Sequence, residues 1–172
     1  MGSEMICPHC DGKNIPGADT CEACGHSLVD ELQPATEVER SLMSDSLDHL
    51  QPKTPIVATP DTSLKDALKL LHEKAIGCVL IVDGEELVGI FSERDALVKA
   101  GTRCRELGDR PVSEFMTPNP ETLENSANLA FAVQRMDVGG YRHVPIVDKA
   151  GRATGICSVR DILKYLTAKM QN

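Results

Sequence analysis

Gly89-Ile90-Phe91-Ser92-Glu93-Arg94-Asp95 returns as Gly155-Ile156-Cys157-Ser158-Val159-Arg160-Asp161, and this doubled stretch decides how the chain folds. The correspondence runs outward from it. Leu64, Ala67, Leu68 and Leu71 fall on Leu129, Ala132, Val133 and Met136, and Ile81-Val82-Asp83 falls on Ile146-Val147-Asp148. Matched residues stand 65 apart, and 66 apart after a one-residue loop insertion. A repeat of so long a period marks two copies of one supersecondary unit. Two such copies are expected to pair in space, each covering apolar surface that the other would expose.

Both copies predict the order β-α-β-β-α, an α/β (α+β) fold with pseudo-twofold symmetry. A short extended segment leads (Pro55-Ile56-Val57; Pro120-Glu121-Thr122). A helix with apolar residues at i, i+3, i+4 and i+7 comes next, with Asp61 or Ser126 as its expected cap. Cys78–Val82 and Val144–Val147 read as buried strands. The turns Asp83-Gly84 and Lys149-Ala150-Gly151 lead to second strands ending at Phe91 and Cys157. Closing helices are expected to start at Ser92 and Ser158, the first ending at Gly101.

This doubled order, with its in-register Gly-h-x-Ser-x-x-Asp motifs, resembles a CBS domain, and the pair resembles a Bateman module. The resemblance covers about two thirds of the chain. Phe115-Met116-Thr117-Pro118 is also typical of the family; its counterpart is expected at Leu42-Met43-Ser44, with an insertion before Pro52. Val138-Gly139-Gly140-Tyr141-Arg142-His143-Val144-Pro145 is similar to a bacterial subfamily of two-repeat proteins. The expected division is a ribbon over 1–28, an acidic linker over 29–40, a first repeat over 41–108 and a second over 109–172. Val38, Leu42 and Leu50 suggest a short amphipathic helix that docks onto the repeat region behind it.

Four of the seven cysteines lie in the first 24 residues. Cys7-Pro8-His9-Cys10 and Cys21-Glu22-Ala23-Cys24-Gly25 are two CxxC pairs ten residues apart. Tetrahedral Zn²⁺ takes four soft ligands from two directions, which two such turns supply. A segment this short and without aromatics cannot fold by burial alone, so a metal must hold it. The other reading of a CxxC pair is a redox dithiol, which two pairs at this spacing disfavour. The pattern resembles a zinc ribbon with Cys7, Cys10, Cys21 and Cys24 as ligands. His9 and His26 are ligands in principle, but steric economy favours four sulfurs. Asp11 stands where the first knuckle often has Gly, and Gly12 is expected to compensate by a shifted turn.

The formal net charge is −8, which argues against general binding to nucleic acid or anionic membrane. In the ribbon Lys13 faces Glu4, Asp11, Asp19 and Glu22, so the basic contacts that counterion release needs are missing. No apolar run approaches the roughly 20 residues of a membrane span, and the N-terminus lacks a signal peptide's basic and apolar regions. A cytoplasmic protein is expected. With 3% aromatics and no Trp, its core must be aliphatic.

The Ser-x-x-Asp motif at a strand-to-helix junction has two readings. It resembles a capping box, which needs no ligand. It also suits a nucleotide: Gly89 and Gly155 permit close backbone approach, Ser92 and Ser158 stand at helix N-termini that favour phosphate, and Asp95 and Asp161 can accept from both ribose hydroxyls. The family resemblance implies ribose at the Asp, phosphate near the Ser, and adenine contacts at Ile56-Val57 and Glu121-Thr122. It also implies phosphate ligands at Arg142 and His143, whose first-repeat equivalents are the uncharged Gly77 and Cys78. One functional and one degenerate site is therefore expected. Arg94 and Arg160 are read as solvated, Tyr141 as either a base-stacking or a core residue, and Cys78, Cys104 and Cys157 as plain thiols.

No nucleophile–base–orienter set stands out, and a four-sulfur zinc has no open position. The expected function is therefore a non-enzymatic regulatory module. The resemblance implies an adenosine-containing ligand (AMP, ADP, ATP, sometimes NAD or S-adenosylmethionine), a homodimer and an unknown protein partner. The alternative is a ligand-free dimerisation scaffold whose ribbon docks proteins. A nucleotide-gated nucleic-acid regulator is disfavoured by the acidic ribbon.

Overall fold

The computed structural model describes residues 5–7, 10–15, 18–26, 28 and 37–170. The chain forms two compact units, Met1–Arg40 and Ser41–Asn172. In the first, β1 (Met5–Ile6) and β2 (Lys13–Asn14) pair antiparallel. Its buried side chains, among the described residues, are Cys7, Cys21, Leu28 and Asn14. The expected linker over 29–40 lies largely outside the described residues, which resume with helix α1 (Glu37–Ser44).

The second unit holds both copies. The first contains β3 (Val57–Ala58), α2 (Leu64–Glu73), β4 (Cys78–Asp83) and β5 (Glu86–Ser92). Its closing helix starts as α3 (Glu93–Asp95), is wound as a π-helix over Ala96–Ala100, and breaks at Gly101 (φ 50°). After α4 (Cys104–Leu107) comes β6 (Thr117–Pro118). The second copy contains β7 (Leu123–Glu124), α5 (Leu129–Gly139), β8 (His143–Val147), β9 (Ala153–Ser158) and an unbroken α6 (Val159–Lys169). In each copy the leading strand pairs parallel, and the second strand antiparallel, with the central one.

The alternation of each strand explains its burial. Val79, Ile81 and Phe91 turn toward Leu64, Ala67 and Leu71 of α2, while Cys78, Leu80 and Ile90 meet Ala153 and Ile156 of the other repeat. β4 is thus buried on both faces, and it reads as a continuous apolar run for that reason.

Several local expectations shift. The helix caps are Ser63 and Asn128, not Asp61 and Ser126. The second leading strand is Leu123–Glu124 rather than Pro120–Thr122. Both corrections have one cause. The segment preceding each repeat docks on the opposite repeat. Leu64 N and Val112 N donate to Arg110 O and Thr62 O, and Leu129 N and Leu47 N donate to Asp45 O and Ala127 O. These pairs hold the spacing of 65, so Leu47–Leu50 matches Val112–Phe115. The expected match of Leu42-Met43-Ser44 and its insertion are therefore corrected. The apolar pattern allowed both alignments, and backbone pairing selects one.

Leu42, Leu47 and Leu50 consequently pack into the second repeat's core, with Leu129, Val144, Ile146 and Ile162. Leu47 is wholly buried. Leu47→Ala should cost about 3–5 kcal/mol in urea unfolding, far more than removing a residue from a passive linker. Among the described residues, no helix is long and apolar enough to cross a membrane.

Candidate functional site

The four ribbon cysteines place their sulfur atoms within 4.8 Å of one another. Cys7 and Cys24 are 3.8 Å apart, and Cys10 and Cys21 are 3.6 Å apart. A tetrahedron with Zn–S bonds of about 2.3 Å has S···S edges of about 3.8 Å, so the cluster has the right size. All four are free thiols. Desolvation raises Cys21, but the backbone N–H groups of Cys24 and Ala23 outweigh it and bring the thiol down to about 6. At Cys10 the Gly12 backbone lowers the pKa, but the Cys24 thiol and burial prevail and push it up to about 12. Four crowded sulfurs cannot all ionise unless a cation joins them. The arrangement is compatible with a zinc ribbon.

Both knuckles have one geometry. Cys7 N donates to Gly12 O and Asp11 N to Cys7 O; Cys21 N donates to His26 O and Gly25 N to Cys21 O. Asp11 takes φ 55° and Gly25 φ 72°. The expected shifted turn at Gly12 does not occur, because Asp11 itself enters the left-handed region. Asn14 ties the knuckles together, donating to Gly12 O and accepting from Glu22 N. Asp11→Gly should relieve about 1 kcal/mol of backbone strain, read as slower zinc loss to a chelator. His26 is absent from the ligand cluster, and His9 lies outside the described residues.

Two clefts open between the repeats. The first, about 250 Å³, is lined by Ser92, Asp95, Glu121, Tyr141, Arg142 and His143, together with Glu93, Arg94 and Thr117. The second, about 430 Å³, is lined by Lys53, Ile56, Ser158, Arg160 and Asp161, and again by Glu93, Arg142 and His143. Each therefore combines the leading segment of one repeat with the Asp-bearing helix of the other. Val57 and Thr122 line neither cleft. Arg94 and Arg160, expected in solvent, line one cleft each, and Arg94 Nη1 donates to Gly140 O at 3.2 Å. Tyr141 is at the first cleft rather than in a core. It folds over Gly139, where a Cβ would lie 2.0 Å from its ring.

The glycines serve protein contacts. A Cβ on Gly89 would lie 2.3 Å from Met116 Sδ, and one on Gly155 would lie 3.0 Å from Pro52 Cβ. They admit the docked leading segments rather than a ligand, which corrects the expectation for both. Gly77 admits His143 in the same way, with a Cβ only 2.5 Å from Nε2. His143 thus stands where the two clefts meet. Burial lowers its pKa against the pull of Glu93 and Asp161.

Both capping boxes form. Ser92 N and Oγ donate to Asp95 Oδ2 at 2.9 and 2.5 Å. Ser158 N and Oγ donate to Asp161 Oδ2 at 2.8 and 2.6 Å. The remaining oxygens differ. Asp95 Oδ1 accepts from Thr117 Oγ1 at 2.9 Å and pairs with Lys99 Nζ at 2.8 Å. Burial alone would raise Asp95, but the bonds from Lys99, Ser92 and Thr117 hold it below the usual carboxylate range. Among the described residues no hydrogen bond or ion pair is found at Asp161 Oδ1.

Charge divides the clefts the same way. The second holds Lys53, Arg142 and Arg160 against Glu93 and Asp161, an excess of cations in an acidic chain. The first holds Arg94 and Arg142 against Glu93, Asp95 and Glu121, with Glu121 already paired to Arg135. Lys53, Glu93, Thr117 and Lys99 were not singled out by sequence reasoning. Lys53 and Thr117 are revealed by their register against Ile156 and Ile90, Lys99 by its ion pair with Asp95, and Glu93 by lining both clefts. Cys78 and Cys157 are buried thiols pushed up to about 12 by desolvation, and Cys104 is exposed.

Two α/β repeats paired around a pair of clefts define a tandem-repeat module, and comparison supplies the family. The CBS domain model matches residues 40–100 and 112–168. The chain belongs to the CBS-domain family, as a tandem pair. It is 32% identical over 111 residues to an uncharacterized 17.7 kDa protein of Acidianus ambivalens, covering 64% of this chain and 66% of that one. It is 35% identical over 142 residues to the inosine-5'-monophosphate dehydrogenase of Aquifex aeolicus, covering 81% of this chain but 27% of that one. Among solved structures, the CBS domain pair of MJ0100 in complex with 5-methylthioadenosine and S-adenosyl-L-methionine aligns with TM-score 0.65. It shows 28% identity over 73% of this chain and 98% of that one. CBSX2 in complex with AMP aligns with TM-score 0.62 and 25% identity, over 74% and 98%. CBS pairs of this kind are generally regulatory rather than catalytic.

Proposed function

We propose that this protein is a cytoplasmic regulatory module that binds an adenosine nucleotide of the AMP, ADP or ATP class in its second cleft. The observation that carries the reading is the open oxygen of Asp161 beside Lys53, Arg142 and Arg160. A carboxylate with one oxygen in the cap and one open can accept ribose hydroxyls. The cations and the start of α6 suit phosphate. Ile56 offers an apolar wall for the base, and Ser158 and His143 stand near the phosphates. The AMP complex of CBSX2 and the adenosine-ligand complex of MJ0100 support the ligand class.

In the first cleft Ser92 and Asp95 act as a helix cap, and Glu121 is held by Arg135. Ligand bridging the repeats favours one arrangement of the pair, which a protein partner reads. The domain plan is a ribbon over 1–28, a linker over 29–40 and repeats over 41–108 and 109–172. Cys7, Cys10, Cys21 and Cys24 hold a structural Zn²⁺ that staples the ribbon. Leu97 and Leu163 stand at matched positions on the two closing helices and are exposed, which supports a homodimer.

Thermal melting with an AMP, ADP and ATP panel tests the reading, since a ligand of the folded state raises Tm by mass action. Native mass spectrometry reports zinc and subunit number together. A Tm indifferent to every nucleotide at millimolar concentration would leave the ligand-free scaffold as the better description.

A further inference from the structure

The two clefts are built from one repeated plan, yet one carboxylate is open and the other closed. The residue that closes it is Lys99. It leaves the π-wound turn Ala96–Ala100 directly after Asp95. Its ammonium sits 2.8 Å from Asp95 Oδ1 and 2.7 Å from Met116 O. That second contact ties it to the docked leading segment, so the ammonium is held from two sides. Thr117, from the same segment, donates to the same Asp95 oxygen.

Neither feature has a copy in the other half. Tyr165 stands at the position matching Lys99, and its hydroxyl turns away to Asp45 Oδ2 at 2.6 Å. Lys53 is the residue facing Ile156 where Thr117 faces Ile90. α6 is regular where the first closing helix is π-wound. π-Turns inside helices tend to mark functional positions.

We propose that Lys99 is a built-in lock on the first cleft, a specificity-determining residue that takes the place of ribose on Asp95. It rests on the reading of Asp161 as the open nucleotide site. A ribose reaching Asp95 would have to displace a charge-assisted bond and the Thr117 hydroxyl together. At Asp161 Oδ1 no partner among the described residues need be displaced. The lock also prevents two phosphates from competing for Arg142 and His143, which line both clefts.

The test is calorimetric titration with AMP on the full chain. Wild type should bind one equivalent, and Asp161→Ala none. Lys99→Met should bind two, the second more weakly because Arg142 and His143 are shared. Lys99→Met with Asp161→Ala should bind one, and adding Asp95→Ala should abolish it. Lys99→Gln serves as a second, polar removal of the charge, and circular dichroism checks that each variant folds. One equivalent in wild type with none in both Lys99 variants on the Asp161→Ala background overturns the lock and leaves the second-cleft reading intact. No binding to wild type, or binding undiminished in Asp161→Ala, overturns that reading and the lock with it.

Discussion

Cys21→Ser should unfold the ribbon and abolish metal binding while the CBS pair melts as before. The expectation comes from what the ribbon buries. Of its four buried residues among those described, two are ligand cysteines, with Leu28 and Asn14 beside them. A two-residue hairpin and one leucine cannot offset the backbone entropy of ordering such a segment at about 1–2 kcal/mol per residue. A structural zinc site supplies an apparent free energy of about 10–16 kcal/mol, and on the proposed reading that would be the ribbon's folding energy. Serine replaces a soft thiolate with a hard, protonated hydroxyl and leaves three ligands. Native mass spectrometry should then lose the mass of one zinc. Amide exchange should lose protection at Cys7, Gly25 and Leu28, whose N–H groups donate to Gly12 O, Cys21 O and Asp19 O within the ribbon. Amides of β4 and β8 should keep theirs, because their cores contain no ribbon residue. Retained protection in metal-free protein would mean that the fold does not depend on the metal.

The repeat and the knuckles were legible for a physical reason. Strand alternation, helix stripes and paired CxxC turns are local patterns, and the matched Gly, Ser and Asp positions keep them in register. The crossing of the leading segments was not legible. Leu42 and Leu47 both look like an apolar residue before a repeat, and only backbone pairing with Ala127 chooses between them. The shifted caps have the same cause: Ser63 and Asn128 bridge to Pro111 and Ser46 of the docked segments. Asp11 misled for another reason. Its sequence position argues for a distorted turn, whereas Asp tolerates the left-handed region well enough to keep the regular one. In the clefts, the equality of the motifs concealed an inequality of partners. Ser-x-x-Asp forms a capping box in both halves, so the cap does not distinguish them. What separates the halves is the second carboxylate oxygen, and its partners come from residues far along the chain or on a turn wound differently.

That inequality makes the second large effect a comparison rather than a single number. Asp161→Ala removes two things at once: the cap that Ser158 N and Oγ give to, and the open oxygen proposed to receive ribose. The cap is worth about 1 kcal/mol of stability. The ribose contacts, as hydrogen bonds to a charged group, are worth about 3 kcal/mol or more together, or roughly a hundredfold in affinity for AMP. Asp95→Ala removes the same cap from the same motif, and also a carboxylate that already has Lys99 and Thr117 as partners. It should therefore lower Tm at least as much as Asp161→Ala does, since it also removes the ion pair with Lys99 and the hydrogen bond from Thr117. AMP affinity should be nearly unchanged. The twin thus controls for the cap. Titration of both variants separates folding from recognition: a loss of about a hundredfold for Asp161→Ala beside a change within a few fold for Asp95→Ala is the expected pair. Equal losses would mean that AMP senses the integrity of the module rather than an open carboxylate. A loss confined to Asp95→Ala would move the site to the first cleft. Arg160→Ala provides an orthogonal reading, because it touches no cap. Its effect should grow from adenosine to AMP to ATP, as a phosphate ligand's would, and a uniform effect across the three would remove Arg160 from the phosphate subsite.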